Sequence, residues 1–263
     1  VGGLTVLREL YRQLPHESIV YLGDTARLPY GTRTPAEILV FVRQILQFLV
    51  QQGVKMVVMA CNTSSALALD QVRSEFQIPI LGVILPGARA SVQQGQRIGV
   101  IATPATVASN AYQQAILEAS STAQVWQVSC PEFVPLIEQN RIHEPYTRSV
   151  AQRYLEPLLQ ANIDTLIYGC THYPHLAPVL QQILPSSVQR VDPAVHVAAA
   201  AAQELEILGL RHGGLALPTQ FYISGEPDPF VRIAQQWLGY TAIVHTVTWP
   251  ERSATRPVLE AVE

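Results

Sequence analysis

The sequence predicts an α/β protein whose strands pair mostly in parallel, and three observations carry that reading. Apolar runs bounded by turn residues alternate with amphipathic stretches along nearly the whole chain, the pattern of repeated β-α units. Hydrophobic residues make up 48% of the 263 and charged residues only 14%, below the roughly 25% of an ordinary soluble domain, so much of the chain must be covered. The third is a local duplication: two apolar strands each end in a cysteine followed by small polar residues.

In chain order, Leu4, Leu7, Tyr11 and Leu14 recur at three- and four-residue spacing and predict a first helix that Pro15 helps to end. Strands are predicted at 18–22, 54–60, 80–84, 97–102, 124–128, 165–168, 188–191, 220–223 and 242–245. Between the first two, Ile38, Phe41, Val42, Ile45, Phe48 and Leu49 share one helical face that packs on the sheet. The Ala-rich run from Pro193 to Leu208 predicts a further helix. The Pro86-Gly87 pair, lying between two strand–helix blocks, predicts the place where the chain crosses between domains, with the hinge there. A first domain of 1–85 plus 194–263 and a second of 86–193 follow, because a C-terminal β-α-β tail otherwise has no core of its own.

Composition narrows the partners. The net charge of −3 comes without a basic block, which argues against nucleic acid and anionic lipid. Arg43, Gln44 and Gln47 interrupt the strongest apolar stretch, so no membrane span is expected, and no signal-peptide pattern opens the chain. A small-molecule partner is expected. The three cysteines lack the spacing of a disulfide framework or a zinc ribbon, which fits a reducing cytoplasm and predicts no metal site.

The duplication carries the chemistry. Residues 54–60 run into Cys61-Asn62-Thr63, and 164–169 run into Cys170-Thr171-His172. Each cysteine thus lies past the carboxyl end of a buried strand, where open α/β sheets bind ligands. Two thiols facing one cleft are predicted, with Asn62, Thr63, Ser64, Thr171 and the N–H groups of helix N-termini suited to a carboxylate. A lone cysteine is ordinarily a small buried hydrophobe, and that reading is kept for Cys130.

Removing an α-proton from an amino acid commonly relies on pyridoxal phosphate held by a lysine. Lys55 is the only lysine, and it sits at the start of a strand, the end away from the expected cleft. A two-base route remains, in which one cysteine removes the proton as thiolate and the other returns one from the opposite face. A thiol with a pKa near 8.5 needs help to ionise, and His172 is the local candidate beside Cys170. His175 is expected in the following helix without a role.

Ala60-Cys61-Asn62-Thr63, Gly169-Cys170-Thr171-His172-Tyr173-Pro174, and Gly23-Asp24 with Pro29-Tyr30-Gly31 resemble the motifs of glutamate racemases in the aspartate/glutamate racemase family. Val1-Gly2-Gly3-Leu4-Thr5 and the segment from Cys130-Pro131 to Glu138 resemble two more, and the similarity runs to about Asp192. The resemblance implies two pseudo-symmetric α/β domains with the site between them. It implies cofactor-independent interconversion of L- and D-glutamate, supplying D-glutamate for peptidoglycan, by a protein that is commonly a homodimer. Carried over by motif, Cys61 and Cys170 are the acid/base pair, Cys61 acting on D-glutamate and Cys170 on L-glutamate, with His172 assisting. Tyr30, Gly31, Asn62, Thr63, Thr171 and His172 contact substrate, as do Thr103 and Thr106, for which a helix cap is the alternative reading, while the role of Glu138 stays open.

The family signature has Asp-Ser-Gly before Val-Gly-Gly, with the Asp assisting the first cysteine. A strand and that Asp are therefore expected upstream of Val1, and these residues alone are expected to be weakly active or inactive. Pro193 follows Asp192 where the family more often has Ser, a change tolerable at a helix start. Two alternatives stand: a racemase for aspartate or another acidic amino acid, and a non-catalytic protein that holds an acidic ligand. The thiols argue against the second, since binding a carboxylate calls for N–H and O–H donors.

Overall fold

A computed structural model describes residues 2–249. The chain runs α1 (Gly3–Gln13), β1 (Val20–Gly23), α2 (Pro35–Gln51), β2 (Val57–Met59), α3 (Asn62–Leu67), α4 (Leu69–Val72), β3 (Ile80–Gly82) and α5 (Ile84–Gln94). It continues through β4 (Arg97–Ala102), α6 (Pro104–Ala108), α7 (Ala111–Ala119), β5 (Gln124–Ser129), α8 (Phe133–Glu138), α9 (Pro145–Gln160) and β6 (Thr165–Gly169). The remainder is α10 (Ala177–Gln181), β7 (Gln189–Val191), α11 (Pro193–Ile207), β8 (Gln220–Ile223), α12 (Pro227–Leu238) and β9 (Val244–Thr246). Short 3-10 turns lie at Thr25–Arg27, Tyr30–Thr32 and Tyr173–Leu176, so His175 sits in a turn just ahead of α10.

Each of the nine predicted strands is present, and every pairing among them is parallel. The largest sheet has the order β5-β4-β6-β7. Its inner strand β4 is buried from Ile98 to Ala102, which is why this segment reads as an unbroken apolar run and does not alternate. One face carries Ile101, Leu166 and Tyr168 under Phe133, Leu136, Leu155 and Leu158. The other carries Ile98, Val100 and Ile167 under Ala88, Tyr112, Ile116 and Val197.

A second sheet has the order β1-β8-β9, and a third pairs β2 with β3. Against β2 and β3, α2 lays Ile38, Val42, Leu46 and Leu49. Its start is set locally by a capping box between Thr34 and Glu37, with Pro35 pre-shaped for the first turn. Among the described residues β1 pairs only with β8 and β2 only with β3, and their open edges border one cavity lined by Tyr21, Leu22, Val58 and Met59.

The Pro86-Gly87 pair lies inside a helix and not in a turn. The strand predicted at 80–84 ends at Gly82, Ile84 opens α5, and Pro86 is the third residue of that helix. A first-turn residue has no intrahelical use for its N–H, so proline costs nothing there. Gly87 instead lets α5 meet α11: a Cβ at Gly87 would lie 3.0 Å from the Pro193 side chain. The pair that looked like a turn signal marks a helix–helix contact.

Candidate active site

Strand register brings the site residues together. Ala102 pairs with Gly169 at the ends of β4 and β6, so Thr103 and Cys170 emerge side by side. The chain passes from β4 to β5 on one side and to β6 on the other, which makes these ends the topological switch point. Cys61 leaves β2 just ahead of α3. Both cysteines border one cavity of about 770 Å³, together with Tyr30, Gly31, Asn62, Thr63, Thr103, Thr171 and His172.

Cys170 is buried and Cys61 half-buried; neither is in a disulfide. Burial pushes the Cys170 thiol up to about 12, a donated backbone N–H from His172 opposes this, and the Cys61 and Glu138 charges add to it. Cys170 therefore rests as a protonated thiol. Its Sγ lies 3.6 Å from His172 Nδ1, while Nε2 of the same ring lies 2.7 Å from Glu138 Oε1.

Burial works to raise the Glu138 pKa, but the His172 hydrogen bond leaves it lowered. Burial also lowers His172, despite Glu138. An ionised carboxylate can only accept, so the neutral imidazole carries its proton on Nε2 and turns the Nδ1 lone pair toward the thiol. The line Glu138–His172–Cys170 can thus receive the thiol proton and hand it back.

Both members of the His172–Glu138 pair have depressed folded-state pKa values, so each contributes stability that is present above its ordinary pKa, 6.5 and 4.5, and is lost on acidification. The urea midpoint is expected to fall as pH drops from 7 past these values, and Glu138→Gln is expected to flatten the lower part of that fall. An unchanged acid limb in the variant would show that the pair contributes no such linkage.

On the Cys61 side, Asn62 and Thr63 are buried at the start of α3. They do not cap it: the N-cap is Cys61, without a side-chain hydrogen bond. Tyr112 donates to Asn62 Oδ1 at 2.7 Å, which fixes the amide so that Nδ2, buried and without a protein partner, is left as a donor. An unpartnered buried donor is costly unless a ligand uses it. Tyr112 was not singled out from the sequence, where it reads as one more apolar position of a helix.

Three hydroxyls form a closed set, with Thr63 to Thr103 at 3.0 Å, Thr63 to Thr106 at 3.3 Å and Thr103 to Thr106 at 3.0 Å. Thr103 and Thr63 line the cavity, but Thr106 is fully buried behind them and does not. Thr106 thus supports the other two. Thr106→Val is expected to cost about 1 kcal/mol of stability, near the net worth of a buried hydrogen bond, and to disturb substrate affinity less than Thr63→Val. Denaturant unfolding and the KM of both variants check this.

Gly31 rests on Thr103, where a Cβ at position 31 would come within 2.9 Å of the Thr103 side chain. Tyr30 and Asp24 both border the cavity, and the Tyr30 hydroxyl donates to the Asp24 carboxylate. Cys130 also reaches the cavity wall, yet its N–H is bonded to Ala102 O and its carbonyl to the Tyr173 hydroxyl, so it packs as a core residue. Lys55 is paired with Glu17 at 2.7 Å, ahead of the first residue of β2. Among the described residues no cluster of three or more His, Cys, Asp or Glu side chains is spaced to hold a metal, and no helix is long and apolar enough to cross a membrane.

A family profile described as Asp/Glu/hydantoin racemase matches residues 3–204. A glutamate racemase of Gloeothece citriformis is 64% identical over 263 residues, covering 100% of this chain and 95% of its own. Among solved structures, a glutamate racemase isoform from Bacillus anthracis superposes with a TM-score of 0.92 at 38% identity over 95% of each chain. A glutamate racemase from Francisella tularensis in complex with D-glutamate gives 0.88 at 35% identity, covering 95% of this chain and 94% of the other.

Proposed function

From the premise that this chain belongs to the Asp/Glu/hydantoin racemase family, we propose that it interconverts L-glutamate and D-glutamate by two-base proton transfer at Cα. The observation that carries this reading is the pair of thiols from separate strand ends bordering one cavity, one of them backed by His172 and Glu138. In the D-to-L direction Cys61 takes the α-proton and Cys170, resting as thiol, delivers one to the opposite face. In the reverse direction Cys170 must first lose its proton to His172 Nδ1, and Glu138 steadies the imidazolium that results. Asn62 Nδ2, the Thr63, Thr103 and Thr171 hydroxyls and the backbone N–H groups at the start of α3 are the donors for the substrate carboxylates. No cofactor takes part in these steps.

The reading includes a cytoplasmic enzyme that supplies D-glutamate for peptidoglycan and that self-associates as a homodimer. It also includes two α/β domains, 1–85 plus 194–263 and 86–193. In support, α5 and α11, which carry the chain across and back, pack on each other at Gly87 and Pro193, and β8 returns to pair with β1.

The test is incubation of the protein, as its gene encodes it, with D-glutamate in D₂O, in the presence of a chelator and without pyridoxal phosphate. Loss of the α-proton signal with appearance of L-glutamate is the expected result. Exchange with aspartate alone would reassign the substrate. Tight glutamate binding without exchange would leave a binding protein.

A further inference from the structure

Asp24 follows β1 directly and its side chain is only 5% exposed. Oδ1 accepts hydrogen bonds from Ser224 Oγ at 2.7 Å and from Trp249 Nε1 at 2.8 Å. Oδ2 accepts the Tyr30 hydroxyl, and Arg27 Nη1 stands 3.5 Å away. The Arg27 guanidinium lies between the rings of Phe41 and Trp249, at 4.4 and 4.6 Å from their centres. Around this carboxylate the loop is also stitched to the end of β8: Ala26 N–H donates to Ser224 Oγ at 3.1 Å and Gly225 N–H to Thr25 Oγ1 at 3.0 Å.

Loop 24–32 is therefore held at both ends, by Asp24 on one side and by the contact of Gly31 with Thr103 on the other. A phenol has a single proton to donate, and here it is donated in a hydrogen bond to the carboxylate. Burial and then the neighbouring Asp24 charge keep the Tyr30 hydroxyl from ionising, so that proton stays in place.

We propose that Asp24 is a positioning residue for the substrate: it takes up the one donor of the Tyr30 hydroxyl, which is then no donor to a substrate carboxylate, and so sets loop 24–32 against Thr103 at the cavity wall. The proposal rests on the racemase reading for its substrate. On this view Asp24 and Tyr30 act as one unit, whereas a hydroxyl that bonded glutamate would act independently of Asp24.

Asp24→Asn, Tyr30→Phe and the double variant separate the two, read by KM and kcat for both enantiomers and by calorimetric Kd for D-glutamate. A hydrogen bond to a charged group is large enough to predict a roughly tenfold rise in KM and Kd for each single variant, with kcat changed less than about twofold. The double variant should be no worse than Asp24→Asn alone. If Asp24→Asn does not fold, Ser224→Ala, which removes one partner only, should shift Kd the same way by a smaller factor. Unchanged KM and Kd with only a lowered Tm would reduce Asp24 to a structural role, and losses that multiply would return the hydroxyl to the substrate; either overturns the proposal. Failure of the racemase reading is distinct, since it appears as a wild-type protein without exchange, in which the Kd cycle still tests Asp24.

Discussion

Cys170→Ala and Cys61→Ala are each expected to lower racemisation by about 10²–10⁴-fold, the range of a positioned acid or base. The more telling readout is exchange in D₂O. With Cys170 removed, Cys61 can still take the α-proton of D-glutamate and return deuterium to the same face. D-glutamate should then lose its α-proton signal without becoming L-glutamate, and L-glutamate should be inert. Cys61→Ala should show the mirror image. Both variants exchanging both enantiomers would rule out a division of labour between the thiols, and with it the two-base route.

Glu138→Gln is expected to slow turnover by about 10- to 100-fold, since it replaces a hydrogen bond to a charged carboxylate, worth about 1.5–3 kcal/mol, by a neutral one. Glutamine keeps the shape but offers no charge to steady an imidazolium at His172, 2.7 Å away. The loss must fall on the step in which Cys170 gives up its proton. Because the two enantiomers are equally stable, kcat/KM must fall equally in both directions. The asymmetry therefore appears in kcat and KM taken separately, with kcat from L-glutamate falling further. Burial holds the Cys170 thiol at about 12, so in the variant kcat from L-glutamate should also rise more steeply with pH than in the wild type. Equal kcat losses in both directions with unchanged pH profiles would assign Glu138 to packing.

Of the substrate contacts carried over by motif, Thr106 lies behind the cavity wall and Tyr30 turns its hydroxyl to Asp24, both for one reason. A motif places a residue in the chain but does not say which way its polar atom turns. Thr106 follows Thr103 by one helical turn, so its hydroxyl faces back onto Thr103 and Thr63. The acceptor for the Tyr30 hydroxyl is the carboxylate of Asp24, six residues earlier.

The strands, the helices between them and the two cysteines at strand ends were legible because each is local. Apolar period, bounding turn residues and a cysteine just past an apolar run all lie within a few consecutive residues, and burying those runs leaves few other folds open. Packing alone arranged the rest. Glu138 meets His172 across 34 residues, Tyr112 meets Asn62 across 50, and Asp24 meets Ser224 across 200. In each pair a polar side chain finds its partner only after helices and strands have docked, so neither residue carries a sign of the other in its own neighbourhood. Pro86-Gly87 is the same lesson in reverse: locally it is a turn signal, but the helix runs through it and packs Gly87 closely on Pro193 of α11.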